Sequence, residues 1–196
     1  MNVNICTRSA KTKAKAKEND ARAMPVAPDA SPLIVLGKME RVELLPRLYG
    51  KVIVTPSVWE EAVTRGKQMG VRDAAYLEKF MRECHLTGAR LSIRERALAE
   101  RLRREADVGQ GEAEVLAIAK GRNALAVLDE KAARSLAVGL GILHTGTAGV
   151  LYEAFLRRLI SYQDLVGLLE ELGRLAWVSS TLLAGVLRRA TEVEQI

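Results

Sequence analysis

Three short apolar runs constrain this chain more than any other feature: MPVAP at 24–28, KVIVT at 51–55 and ALAVL at 124–128. Each is shorter than a stable helix, and KVIVT is compact and β-branched, as a strand buried on both faces of a parallel sheet should be. The intervening segments have helical spacing. DASPLIVLG follows the first run directly, ERVELLPRLY at 40–49 is stopped by Gly50, and PSVWEEAVTRG places Pro56 in a first turn, where its missing N–H costs nothing. Residues 66–83 read as a helix with an apolar stripe of Ala74, Leu77, Phe80 and Met81, and the apolar stripe on residues 40–83 is a candidate dimer interface. Residues 85–92 read as a strand or a loop. RERALAERLRREA at 94–106 reads as a helix that is exposed or lies against a partner.

The second half repeats the alternation. GEAEVLAIAKG is a helix with acids in its first turn, where the macrodipole favours them, and ALAVLD is a strand ending in Asp129. EKAARSLAVGLG is a helix, ILHTG a short strand, and TAGVLYEAFLRRL a helix that Thr147 is placed to cap. Helices at 162–175 and 180–192 complete the chain. This order predicts a three-layer α/β fold with a mostly parallel central sheet, whose ligand site lies beyond the carboxyl ends of the strands.

Four acids fall at those places. Asp29 and Asp129 directly follow two apolar runs, Glu61 lies on the helix after KVIVT, and Glu112 lies in the first turn of the GEAE helix. Asp29 and Asp129 also suit helix capping, so each alone has two readings. Adjacent helix positions face about 100° apart, so one of each glutamate pair faces a site: Glu61 inward and Glu60 solvated, Glu112 inward and Glu114 outward. Carboxylates gathered in one cleft repel one another unless a cation sits among them, and oxygen ligands favour a hard ion, Mg²⁺ or Mn²⁺. Ser31 and Thr147 are placed to orient a water or a carboxylate. His85 and His144 lack metal-ligand spacing and read as structural.

Composition narrows the function. The net charge is +6, and residues 1–28 hold Arg8, Lys11, Lys13, Lys15, Lys17 and Arg22 against Glu18 and Asp20, so the basic character belongs largely to an N-terminal arm. Residues 1–23 read as a disordered arm preceding a domain at 24–196. An aromatic content of 4% argues against recognition of single strands by successive base stacking. Cys6 and Cys84 make neither a disulfide framework nor a cysteine zinc site. No run reaches the roughly 18 apolar residues of a membrane span, and a cytoplasmic setting with no membrane partner is expected. No phosphate loop, dinucleotide turn, HExxH helix or GxSxG elbow occurs.

DASPLIVL at 29–36, PSVWEEAV at 56–63, GQGEAEVLAIA at 109–119, LDEKAARSLAVGLGI at 128–142 and TGTAGVLYEA at 145–154 together resemble the PIN-domain nucleases. Within them the chain is most similar to toxin-type proteins related to VapC, in the subgroup with a glutamate at a GEAE-type helix start. The resemblance runs from about residue 25 to 190. It implies a PIN-like fold and an endoribonuclease in which Asp29, Glu61, Glu112 and Asp129 bind one or two Mg²⁺ or Mn²⁺ ions and cut RNA. It also implies a cognate antitoxin protein as partner, and a homodimer. Lys131 and Arg134, with Lys11, Lys13, Lys15 and Lys17 of the arm, would supply charge for the RNA backbone. Many family members have an aspartate where Glu112 stands. Two other readings remain at this point: a catalytically inactive PIN-like RNA-binding or regulatory module, and an aspartyl phosphatase or phosphoacceptor. The phosphatase would want a second aspartate where this chain has Ser31.

Overall fold

β1 (Val26–Pro28), β2 (Leu125–Val127) and β3 (His144–Thr145) pair in parallel in the order β1-β2-β3. They are seen in a computed structural model that describes residues 24–83, 89–176 and 178–195. The arm bearing Lys11, Lys13, Lys15 and Lys17, and His85, lie outside the described residues. Pro28 stands opposite Val127, and Val127 opposite Thr145. The carboxyl ends of all three strands therefore meet at one level. Two strands so far apart in sequence can be parallel neighbours only through crossover connections, and the helices supply these.

KVIVT does not become a full strand. Val52 makes one isolated parallel bridge to Val26, with Val26 N–H donating to the Lys51 carbonyl at 2.9 Å and Ile53 N–H to the Val26 carbonyl at 2.8 Å. The Val54 carbonyl then accepts from Ala89 N–H at 2.6 Å, and Thr55 turns into a helix. Val52, Ile53, Val54 and Thr55 are all buried, as the apolar run demands. The ladder is cut short because the helix must begin at Pro56.

Helix α1 (Ala30–Lys38) leaves β1 without a loop. Helix α2 (Leu44–Tyr49) is shorter than the expected 40–49, because Glu40 takes a left-handed conformation (φ 52°) and breaks the run. Helix α3 comprises Pro56–Trp59, a π-helical segment Glu60–Arg65 and Gly66–Gln68. Its N-terminus is capped by the Thr55 hydroxyl, which accepts from Val58 N–H at 3.3 Å. Gly70, at φ 70°, separates α3 from α4 (Arg72–Glu83), so residues 66–83 are not one helix.

The stripe of Ala74, Leu77, Phe80 and Met81 is buried within the chain, against α1. A Cβ on Gly37 would lie 2.7 Å from Leu77 Cγ, so the two helices approach closely only because that residue has no side chain.

Helix α5 (Ile93–Glu105) is well exposed, as expected, and buries Glu95, Ala99 and Leu102 where it packs on α6 (Gln110–Arg122). Ser92 and Glu95 form a capping box at its start. The Glu95 carboxylate also accepts from Arg122 at 2.7 and 2.9 Å, locking the start of α5 to the end of α6. Asn123, left-handed at φ 49°, ends α6 and feeds β2. Helices α7 (Lys131–Gly139), α8 (Thr147–Leu156), α9 (Tyr162–Leu175) and α10 (Ser180–Glu194) follow. Helix α6 packs on β1 and β2, and α8 packs on α1, α2, α9 and α10 around one apolar core. The result is an α/β fold with a parallel sheet, as the alternation of runs predicted. No helix among the described residues is long and apolar enough to cross a membrane.

The Glu95–Arg122 pair makes stability pH-dependent. Hydrogen bonds from Arg122, against the opposing effect of burial and with further help from Ser92, hold the Glu95 carboxyl down at about 2, from 4.5. Its contribution is complete above pH 4.5 and is lost as pH falls toward 2. Urea melts should show Glu95→Gln less stable than the parent by about 1–3 kcal/mol at pH 7, with the gap narrowing as the pH drops below 4.5.

Candidate active site

Asp29 stands where β1 becomes α1, and its N–H donates to the Val127 carbonyl at 3.0 Å. It occupies the N-cap position with extended backbone, yet its side chain makes no capping hydrogen bond. The carboxylate is thus not spent on a helix cap, although only 7% of the residue is exposed. Burial pushes its pKa up to about 7; the Ala30 N–H opposes this, and the charges of Glu112, Glu61 and Asp129 reinforce it. The other three sequence-predicted acids therefore lie within electrostatic reach of Asp29.

Gly111 marks the point of closest approach. A Cβ there would lie 3.2 Å from Asp29 Oδ1, 3.4 Å from Val58 Cγ2 and 3.7 Å from Glu61 Oε2. The missing side chain lets the first turn of α6 press against Asp29 and α3 together. Glu61, an exposed residue, faces this point from the π-helical segment, a feature that often marks functional sites.

Glu112 is half-buried and curls back on its own helix end: Oε2 accepts from Gly109 N–H at 2.8 Å, while Oε1 is buried with no partner. Asp129, two residues past β2, accepts from Thr147 N–H at 2.8 Å through Oδ1 and from the Thr147 hydroxyl at 2.6 Å through Oδ2. Asp129 therefore serves the start of α8, and Thr147 is the donor and first helical residue, with Gly146 at the N-cap position. That reverses the expectation that Thr147 caps α8. A Cβ on Gly146 would lie 2.9 Å from Asp129 Oδ1, so the close fit requires glycine. Arg134, from α7, donates to the main-chain carbonyl of Asp129.

A family model described as a PIN domain matches residues 25–192. The chain belongs to the PIN-domain family. PIN domains are generally nucleases, and they usually use divalent metals. Comparison with curated proteins and with solved structures gave no match.

In this PIN domain the glutamate that the sequence assigned to solvent is buried. Only 7% of Glu114 is exposed. It accepts from Ser57 N–H at 3.1 Å, the Ser57 hydroxyl at 2.7 Å and the Gln110 amide at 2.8 Å. Burial raises its pKa, but the bonds from Gln110, Ser57 and Thr55 outweigh this and hold it below the usual range. Glu114 so ties the N-terminus of α3, which carries Glu61, to the first turn of α6, which carries Glu112. A one-faced reading of α6 could not find it, because its partner lies 57 residues away. Glu60 is exposed, as expected, and half-buried Ser31 makes no side-chain hydrogen bond among the described residues. Lys131 is exposed at the start of α7. His144 is half-buried, with Nδ1 3.3 Å from the Ile142 carbonyl.

Among the described residues, no three histidine, cysteine, aspartate or glutamate side chains stand ready-made as a metal cage. The donor set nevertheless suits a hard cation. It offers carboxylate oxygens only, a buried Glu112 oxygen without a partner, and an Asp29 carboxyl held up to about 7 by surroundings that a cation would reverse.

Two outcomes follow. Because the folded-state pKa of Asp29 is raised from 3.8 to about 7, its stabilising effect is full below pH 3.8 and lost as pH rises through 7. In chelator at pH 8, Asp29→Asn should be more stable than the parent by about 1–3 kcal/mol, and thermal melts at lower pH should show the difference shrinking. Glu114→Ala should cost about 1–3 kcal/mol in chemical denaturation at neutral pH, since it leaves the half-buried Ser57 donors unmatched.

Proposed function

We propose that this PIN domain is a Mg²⁺- or Mn²⁺-dependent endoribonuclease of the toxin type related to VapC, acting in the cytoplasm with a cognate antitoxin protein and as a homodimer. One observation carries the catalytic part: Asp29 is buried at the end of a parallel strand with the charges of Glu112, Glu61 and Asp129 around it. A structural cap needs neither that burial nor those neighbours. The GEAE helix start and the five ordered motifs support the narrower family reading.

Asp29, Glu112 and Asp129 would hold the ion or ions, with Glu61 on a second ion or on the attacking water. One or two bound divalent ions supply Lewis-acid charge and lower the pKa of a bound water. The chain's own residues prepare the site for this. Thr147 uses its N–H and hydroxyl to fix the orientation of Asp129. Gly109 N–H holds Glu112 by one oxygen and leaves the other as an unused acceptor. Glu114 anchors the start of α3 and so the helix that carries Glu61. Burial around Asp29 excludes water from the carboxylate and strengthens its pull on a cation.

Incubation of the parent with labelled single-stranded RNA should give Mn²⁺-dependent cleavage that EDTA stops. Asp29→Asn and Glu112→Gln should each lower the rate by about a hundredfold or more, and both should weaken Mn²⁺ binding in calorimetry. A parent that binds RNA but never cuts it with Mn²⁺ or Mg²⁺ present would point instead to an RNA-binding module.

A further inference from the structure

Helix α5 presents Arg94, Arg96, Arg101, Arg103 and Arg104 at the surface, and these arginines are not equivalent. Arg101 lies 3.9 Å from Glu105, an exposed pair of little energetic weight. Arg103 has no carboxylate within ion-pair distance among the described residues. Its Nη1 instead donates to the side-chain oxygen of Gln110 at 2.9 Å.

Gln110 opens α6, one residue before Gly111, whose missing side chain admits Asp29 and Glu61. The amide of Gln110 is oriented from beneath, because its Nε2 donates to buried Glu114 at 2.8 Å and its oxygen is left for the arginine. A chain of contacts thus runs from Glu114 through Gln110 to Arg103. It holds an un-neutralised guanidinium above the helix end that borders the acid cluster. A neutral acceptor fixes the position of the arginine without cancelling its charge. Most of its five donors remain available in a planar fork that suits phosphate.

We propose that Arg103 is a docking residue for the backbone phosphate of single-stranded RNA, with Gln110 as the positioning residue that presents it at the rim of the acid cluster. The inference rests on the reading of that cluster as a ribonuclease site and identifies how the polyanion is brought to it. A polyanion approaching four carboxylates needs a fixed positive charge close by. Arg134 is held by the Asp129 carbonyl and keeps its charge beside that acid. Arg103 supplies the charge on the α6 side.

The test uses the full-length chain carrying Asp29→Asn, so that RNA is retained, and measures binding of a fluorescein-labelled oligouridylate across a salt series. Adding Arg103→Ala should weaken binding several-fold and make the slope of log affinity against log salt shallower by about 0.7, the loss of one single-strand phosphate contact. Arg101→Ala should leave both quantities unchanged, Arg103→Lys should restore the slope while recovering only part of the affinity, and Gln110→Ala should weaken binding with the slope retained. With Asp29 intact, Arg103→Ala should raise KM and leave kcat nearly unchanged. Arg103→Ala matching Arg101→Ala in slope and affinity, or RNA binding being absent throughout, would overturn the proposal. The two readings separate cleanly: a parent that cuts RNA with an unaltered KM in Arg103→Ala sinks the docking role alone. A parent that binds RNA through Arg103 without cutting it sinks the nuclease alone.

Discussion

Burial of Asp29 at one end of a short parallel sheet, with the charges of Glu112, Glu61 and Asp129 around it, is the constraint that the rest of this architecture must accommodate. The four acids are held in different ways. Asp29, the most buried, keeps its proton to about pH 7. Asp129 is stabilised by two donors from Thr147, and Glu112 by the Gly109 N–H on one oxygen only. Glu61 stays exposed to solvent. The remaining discomfort is concentrated on Asp29 and on the unpartnered oxygen of Glu112, the two groups that a hard cation would relieve most.

Rigid placement of those acids depends on glycine and on one further glutamate. Gly111 and Gly146 admit carboxylates to positions that a Cβ would crowd. Glu114 uses Ser57 and Gln110 to bind the start of α3 to the start of α6. That single side chain orients Glu61 through one helix and Arg103 through another. It links the proposed catalytic acids to the proposed RNA contact without belonging to either.

Much of this was legible beforehand because the signals are local. Short apolar runs gave the parallel strands β1 and β2, Pro56 gave the start of α3, and Asp29 and Asp129 just past strand ends gave two acids at one end of the sheet. Other features depend on distant neighbours and so left no local trace. KVIVT was cut to one bridge by the helix beginning at Pro56. The stripe on α4 went into the core, where Leu77 meets Gly37. Helix α5 found its partner in α6 of the same chain, and Glu114 found its own in Ser57.

The amino-acid order alone thus determined the alternation of short apolar runs with helices and which acids stand at their ends, since periodicity and capping act over a few residues. Tertiary structure decided which of those acids surround Asp29, which hydroxyls hold them, and which arginine Gln110 holds. Those outcomes depend on helices brought together across the core, where burial and hydrogen bonding between distant residues set the protonation of Asp29 and the orientation of Glu114.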